Sequence, residues 1–169
     1  MKYKIKKGRH YASGWPFRIL NYIMLPAEIS GKFNFHDSCW YPTCMVDKTG
    51  INKLFGVSYG LFGVHKRSIR IGWQPNFNEL GKISLFYYIY DSDVSGSYIA
   101  GKIEDVGIEE DVHFYIGALK AGSVLRLGSS EKTFPLSANS FVGHLHYPYF
   151  GGKSVSPWDM AMDVEYEVM

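Results

Sequence analysis

Apolar and polar side chains alternate with a period of two along most of this 169-residue chain. No other feature of the sequence constrains the fold as much. Successive residues of a strand face opposite ways, so such alternation builds one buried face and one wetter face. Ser68-Ile-Arg-Ile-Gly-Trp73 alternates in this way and stops at Gln74-Pro75-Asn76. Lys82 to Tyr90 is rich in aromatic and β-branched residues and ends at the turn signal Asp91-Ser-Asp93. Val112 to Leu119, Ser123 to Leu127, Phe141 to Tyr147 and Trp158 to Tyr166 repeat the pattern. Phe17 to Met24, Lys32 to Phe35, Leu54 to Tyr59 and Ser97 to Ile103 are further strand segments. The spacing predicts roughly ten to twelve strands in one all-β domain over residues 1–169, with an eight-stranded barrel and a two-sheet sandwich both fitting that count. The nearest approach to a helix, Leu20 to Leu25, is closed by Pro26 and suits a strand equally.

Composition removes other classes. The chain carries 4 Trp, 13 Tyr and 11 Phe, far too much apolar surface for a disordered tail. No run approaches the ~20 apolar residues of a membrane-spanning helix, and heptad spacing is absent. With 18 basic and 16 acidic side chains the net charge is +2, which argues against a dedicated nucleic-acid surface. Lys2, Lys4 and Lys6 alternate with Tyr3 and Ile5 and read as a solvated strand face. The basic start is followed by Arg9-His-Tyr-Ala-Ser-Gly-Trp-Pro16 rather than an apolar segment, so no signal peptide is visible. The expected location is therefore the cytoplasm or a phage particle. Cys39 and Cys44 are two thiols and do not make a disulfide framework.

Glu109 to Leu127 resembles a strand pair common in concanavalin-like sandwiches. His144-Leu-His-Tyr-Pro-Tyr-Phe-Gly-Gly152, Pro157 and Met160-Ala-Met-Asp-Val-Glu-Tyr166 resemble the C-terminal end of laminarinase-type glucanases. The resemblance implies a two-sheet antiparallel β-sandwich of concanavalin-like or jelly-roll type. It does not extend to the catalytic motif. A retaining glucanase needs two carboxylates ≈ 5–5.5 Å apart on one face. The nearest acidic cluster, Glu104-Asp105 to Glu109-Glu110-Asp111, is interrupted by Gly107 and reads as a solvated turn. Lys7 to Gly14, Ile51 to Gly56, Ser68 to Trp73 and Tyr149 to Gly152 with Pro157 and Asp159 also resemble short β-proteins of gut bacteria and their phages, which bring no assigned activity.

Several constellations could carry chemistry. His144 and His146 lie two apart and share a strand face, a spacing used by histidine metal sites. A third ligand would have to come from His113, His65 or Asp159. His36, Cys39 and Cys44 stop at three ligands. No nucleophile-base pair or phosphate loop announces itself, and no cofactor is expected. Trp15, Trp40, Trp73 and Trp158 each lie beside a proline-bearing turn, where an aromatic ring either caps a core or offers a platform for a sugar ring or a protein. The ligand-binding set read from these segments is His10, Asn52, Lys53, His65, Arg70, Trp73, His144, His146, Tyr149 and Asp159. The leading expectation is a non-catalytic recognition or assembly module that binds a glycan or a partner protein, including copies of itself, through an aromatic and histidine-lined groove. The alternatives are a structural or accessory component of a phage particle, and a polysaccharide lyase or hydrolase with a non-standard site.

Overall fold

A computed structural model describes residues 1–13, 21–42, 50–60, 67–91 and 98–169. Among them run thirteen strands: β1 (Lys2–Ile5), β2 (Ala12–Ser13), β3 (Tyr22–Met24), β4 (Ala27–Phe35), β5 (Asn52–Tyr59), β6 (Arg67–Pro75), β7 (Lys82–Asp91), β8 (Tyr98–Gly107), β9 (Val112–Leu119), β10 (Gly122–Leu127), β11 (Ser130–Phe134), β12 (Val142–His146) and β13 (Met160–Val168). They form two antiparallel sheets. The seven-stranded sheet has the order β11-β10-β9-β4-β13-β1-β2 and the six-stranded sheet β3-β12-β5-β6-β7-β8. The expected all-β sandwich is therefore the fold, and the barrel is not. No helix among the described residues is long and apolar enough to cross a membrane.

The alternation read from the sequence decides what fills the space between the sheets. Tyr3 and Ile5 point inward from β1 while Lys2 and Lys4 point out. Ile29, Phe33, Ile116, Met162 and Val164 face the core from one sheet, and Phe55, Val57, Ile69, Ile71 and Leu85 from the other. Trp73 is completely buried, with Phe35 at 5.1 Å and Tyr41 at 6.3 Å between ring centroids. It supports the core and does not line a groove, because the inward parity of Ile69 and Ile71 continues to residue 73. Close sheet geometry also needs gaps in the side-chain pattern. A Cβ on Gly31 would lie 2.0 Å from the Glu165 carbonyl oxygen, so β4 and β13 approach as they do only around glycine.

The acidic cluster is not one solvated turn. Glu104 and Asp105 lie inside β8, where Asp105 accepts from Ser84 Oγ at 2.6 Å and pairs with Lys102. Glu109 adopts a left-handed φ of 61° in the following turn, and its N–H donates to the Phe35 carbonyl at 2.8 Å. His36 meets Glu109 at 3.2 Å and Asp163 at 2.8 Å. Asp111 holds Lys32 and Asn34 at 2.8 and 3.0 Å. These carboxylates tie the β8–β9 turn to the seven-stranded sheet, a pairing between distant segments that local spacing does not reveal.

Candidate functional site

The outer face of the six-stranded sheet follows from strand parity. Leu145, Val57, Ile69 and Ile89 face the core, so their neighbours face outward. Cross-strand register then assembles three rungs. The first runs Tyr22, His144, Ser58, Ser68, Tyr90, Tyr98, and the second runs His146, Gly56, Arg70, Tyr88, Ala100. The third runs Lys53, Gly72, Phe86, Lys102. Side chains opposite one another on such rungs are direct neighbours.

Gly56 makes the middle of this face possible. A Cβ there would come within 2.8 Å of Arg70 Cγ, so the missing side chain leaves the room in which Arg70 lies beside β5. Arg70 is only 6% exposed although it faces away from the core, and its Nε donates to Ser68 Oγ at 3.1 Å. Burial pulls its guanidinium down to about 10, so it stays charged at neutral pH. Lys53 Nζ donates to the Ile51 carbonyl at 2.7 Å and stands 4.2 Å from the centre of the Tyr88 ring. Burial, and then the charge of Arg70, bring the Lys53 amine down to about 8. Burial pushes the Tyr88 hydroxyl up to about 12, so it keeps its proton.

Arg70 and Lys53 are neighbouring cations withdrawn from water, and an anion drawn close to them offsets part of that desolvation cost. None of the described residues on these three rungs is a carboxylate. The arrangement can therefore receive an anionic group over Arg70 and Lys53, with tyrosine and histidine around it. His144 and His146 lie with ring centroids 5.3 Å apart, and Tyr22 meets His144 edge-on at 5.3 Å. At the far edge Tyr98 stacks on Tyr88 at 4.6 Å.

Five residues of the sequence-derived set come together here: Lys53, Arg70, His144, His146 and Tyr149. Tyr149 joins through its backbone, since its N–H donates to the Lys53 carbonyl at 2.8 Å and the Lys53 N–H returns a bond of 2.9 Å. His10 stacks on Tyr149 at 5.3 Å, and its Nδ1 donates to the Phe150 carbonyl at 2.8 Å. Asn52 is fully buried behind the face, where its amide donates to Tyr41 Oη at 2.7 Å and accepts from the Gly151 N–H at 2.8 Å. It positions the Tyr149 loop and is not placed to touch a ligand. Asp159 stands elsewhere, paired with Lys6 and the Lys7 N–H. Trp73 is in the core, and His65, Trp15 and Cys44 lie outside the described residues. Cys39 is buried and donates to the Ala161 carbonyl. His113 belongs to the opposite sheet, and among the described residues no group of three His, Cys, Asp or Glu could hold a metal.

Tyr88, Tyr22 and Gly56 belong to this face but stand outside the set that sequence alone points to. The alternation of Phe86, Tyr88 and Tyr90 opposite Ile89 was a usable signal for an aromatic outer face, but only register shows that it abuts Arg70.

No model of a known protein family matches this sequence, and no curated protein matches it. Solved structures do share its fold. An alginate lyase from Pseudomonas aeruginosa matches with a TM-score of 0.60 and 10% identity, covering 85% of this chain and 64% of that enzyme. The chain thus spans less than two thirds of that lyase. An alginate lyase from Alteromonas sp.272 matches with a TM-score of 0.55 and 10% identity, over 99% of this chain and 78% of the other. A family 7 alginate lyase, solved as a double variant (histidine to asparagine, tyrosine to phenylalanine) in complex with its substrate, matches with a TM-score of 0.58 and 6% identity over 85% of this chain and 60% of that one. At these identities the likeness defines the fold: a concanavalin-like jelly roll of the kind polysaccharide lyases use.

Proposed function

We propose that this chain binds an acidic polysaccharide across the outer face of its six-stranded sheet and cleaves it by β-elimination. The observation that carries the proposal is the buried Arg70 beside the half-buried Lys53, set among tyrosines and histidines on rungs whose described residues include no carboxylate. A glycosidase would place two carboxylates at that position. A β-elimination needs instead a cation over the sugar carboxylate, a base for the proton on the adjacent carbon, and an acid for the departing oxygen. Arg70 holds the carboxylate. His146, its rung neighbour across Gly56, takes the proton. The electron pair released forms the new double bond as the glycosidic C–O bond breaks, and the Tyr88 hydroxyl protonates the leaving oxygen. Tyr88 takes the acid role by position, as the rung neighbour of Arg70 on the side away from Gly56 and His146. The fold's occurrence among alginate lyases supports the same reading. Binding without cleavage is the second reading, favoured because a cation and aromatic floor holds an acidic sugar without any base.

The test is incubation with alginate and other polyuronates, following the ultraviolet absorbance of the double bond conjugated to the carboxylate. Absorbance is expected to rise with the wild type. His146→Ala is expected to retain binding within about threefold while losing at least ~100-fold in rate, and Arg70→Ala to lose both. Wild-type binding with no new absorbance leaves the second reading standing. Absence of binding to any acidic polysaccharide overturns both.

A further inference from the structure

The third rung does not stop at β5. Beyond Lys53 it continues through single antiparallel bridges from Lys53 to Tyr149 and from Tyr149 to Tyr11. Bridged residues project to the same side of a sheet, so Tyr11 and Tyr149 extend the Lys53, Gly72, Phe86 row by two positions past the hydrogen-bonded strands. We infer that Tyr11 and Tyr149, with Lys53, form a stacking subsite for an acidic sugar ring at this end of the outer face. The inference rests on the acidic-polysaccharide reading above and adds to it where the chain leaves the protein.

Three features build the subsite. Tyr11 is 64% exposed, and its ring meets Tyr149 edge-on at 5.0 Å, leaving an aromatic surface open to solvent. Tyr149 is backed by His10, nearly parallel at 13°, and His10 is itself fixed by its bond to the Phe150 carbonyl. The loop beneath is held tightly: the Phe150 N–H donates to the His10 carbonyl at 2.7 Å, and a Cβ on Gly151 would sit 2.1 Å from the Ile51 carbonyl oxygen. An aromatic wall fixed before binding loses little freedom when a ring docks on it. A pyranose presents a C–H face that suits a tyrosine ring, and its acidic group can reach the Lys53 ammonium beside it. The occupant is therefore one further acidic sugar of the chain bound over Arg70, and the contact should matter only to oligosaccharides long enough to reach it.

The test is calorimetric binding of a length series of oligouronates, dimer to octamer, to the wild type, Tyr11→Ala and Tyr11→Phe. Tyr11→Ala is expected to weaken the long members roughly two- to tenfold and to leave the dimer unchanged. Tyr11→Phe keeps the ring and should bind as the wild type does. An equal loss at every length, or no loss at any length, overturns the subsite while leaving the polysaccharide reading intact. If the wild type binds no oligouronate, that reading falls and the subsite falls with it. Unchanged thermal melting of Tyr11→Ala separates lost stacking from lost fold.

Discussion

Lys53 and Arg70 illustrate how a residue acquires its character from what surrounds it. Lysine is ordinarily a fully charged surface group, with an unfolded pKa near ~10.4. Here burial and the adjacent guanidinium bring it down to about 8. Below about 8 both folded and unfolded chains carry this charge, and the fold bears the whole cost of burying it. Between about 8 and ~10.4 the folded amine sheds its proton first, so the cost fades and this group's effect on stability improves as pH rises. Anion binding runs the other way, because only the ammonium attracts a carboxylate. Affinity for an acidic oligosaccharide is thus expected to fall as pH is raised through about 8. Lys53→Met should bind more weakly at pH 7 and show a flatter profile. Titration calorimetry at several pH values checks both, and an unchanged profile in Lys53→Met would place the titrating group elsewhere.

At the scale of elements, the face depends on positions that never touch a ligand. Asn52 joins the Tyr41 hydroxyl to the loop carrying Tyr149. Asn52→Leu would strand both buried partners, at a cost of about 2–3 kcal/mol. Chemical denaturation should register that loss, and hydrogen exchange should rise around Tyr149. Gly56 acts on the other side of β5. A methyl group there would lie 2.3 Å from the Ile69 carbonyl oxygen, within the β5–β6 ladder itself. Gly56→Ala is expected to cost about 3 kcal/mol, the upper range for overpacking, and to displace Arg70 as well. If Gly56→Ala melts with the wild type, β5 and β6 do not depend on a missing side chain at this position. Both residues were visible in the sequence, Asn52 as a polar site residue and Gly56 as one glycine in a strand. Their work depends on partners about 10 to 100 positions away, which no local pattern supplies.

Across the whole molecule, the two sheets are held by an aromatic and aliphatic core that includes Trp73, Phe33, Phe35, Phe55 and Phe150. Trp73→Ala is expected to remove about 3–5 kcal/mol, lowering the melting temperature on the order of 10 °C for a chain this size. A shift of only a degree or two would mean that the ring is not a central element of the core. Tyr59 in the six-stranded sheet also bonds Ser123 in the other, so a polar contact crosses the sandwich inside its apolar filling.

Period-two alternation by itself determined that this chain is all-β and which face of its strands turns inward. It could do so because side-chain direction in a strand is set by local backbone geometry, residue by residue. It points to roughly ten to twelve strands where thirteen form, because the two-residue β2 and the mostly exposed β11 carry no alternation to read. Tertiary structure alone decided that Arg70 lies beside Lys53 and Tyr88, that Asp159 pairs with the N-terminal lysines and that Tyr11 continues the row from Lys53. Those neighbours meet through cross-strand register, and register is fixed by the packing of the whole sandwich rather than by any window of sequence.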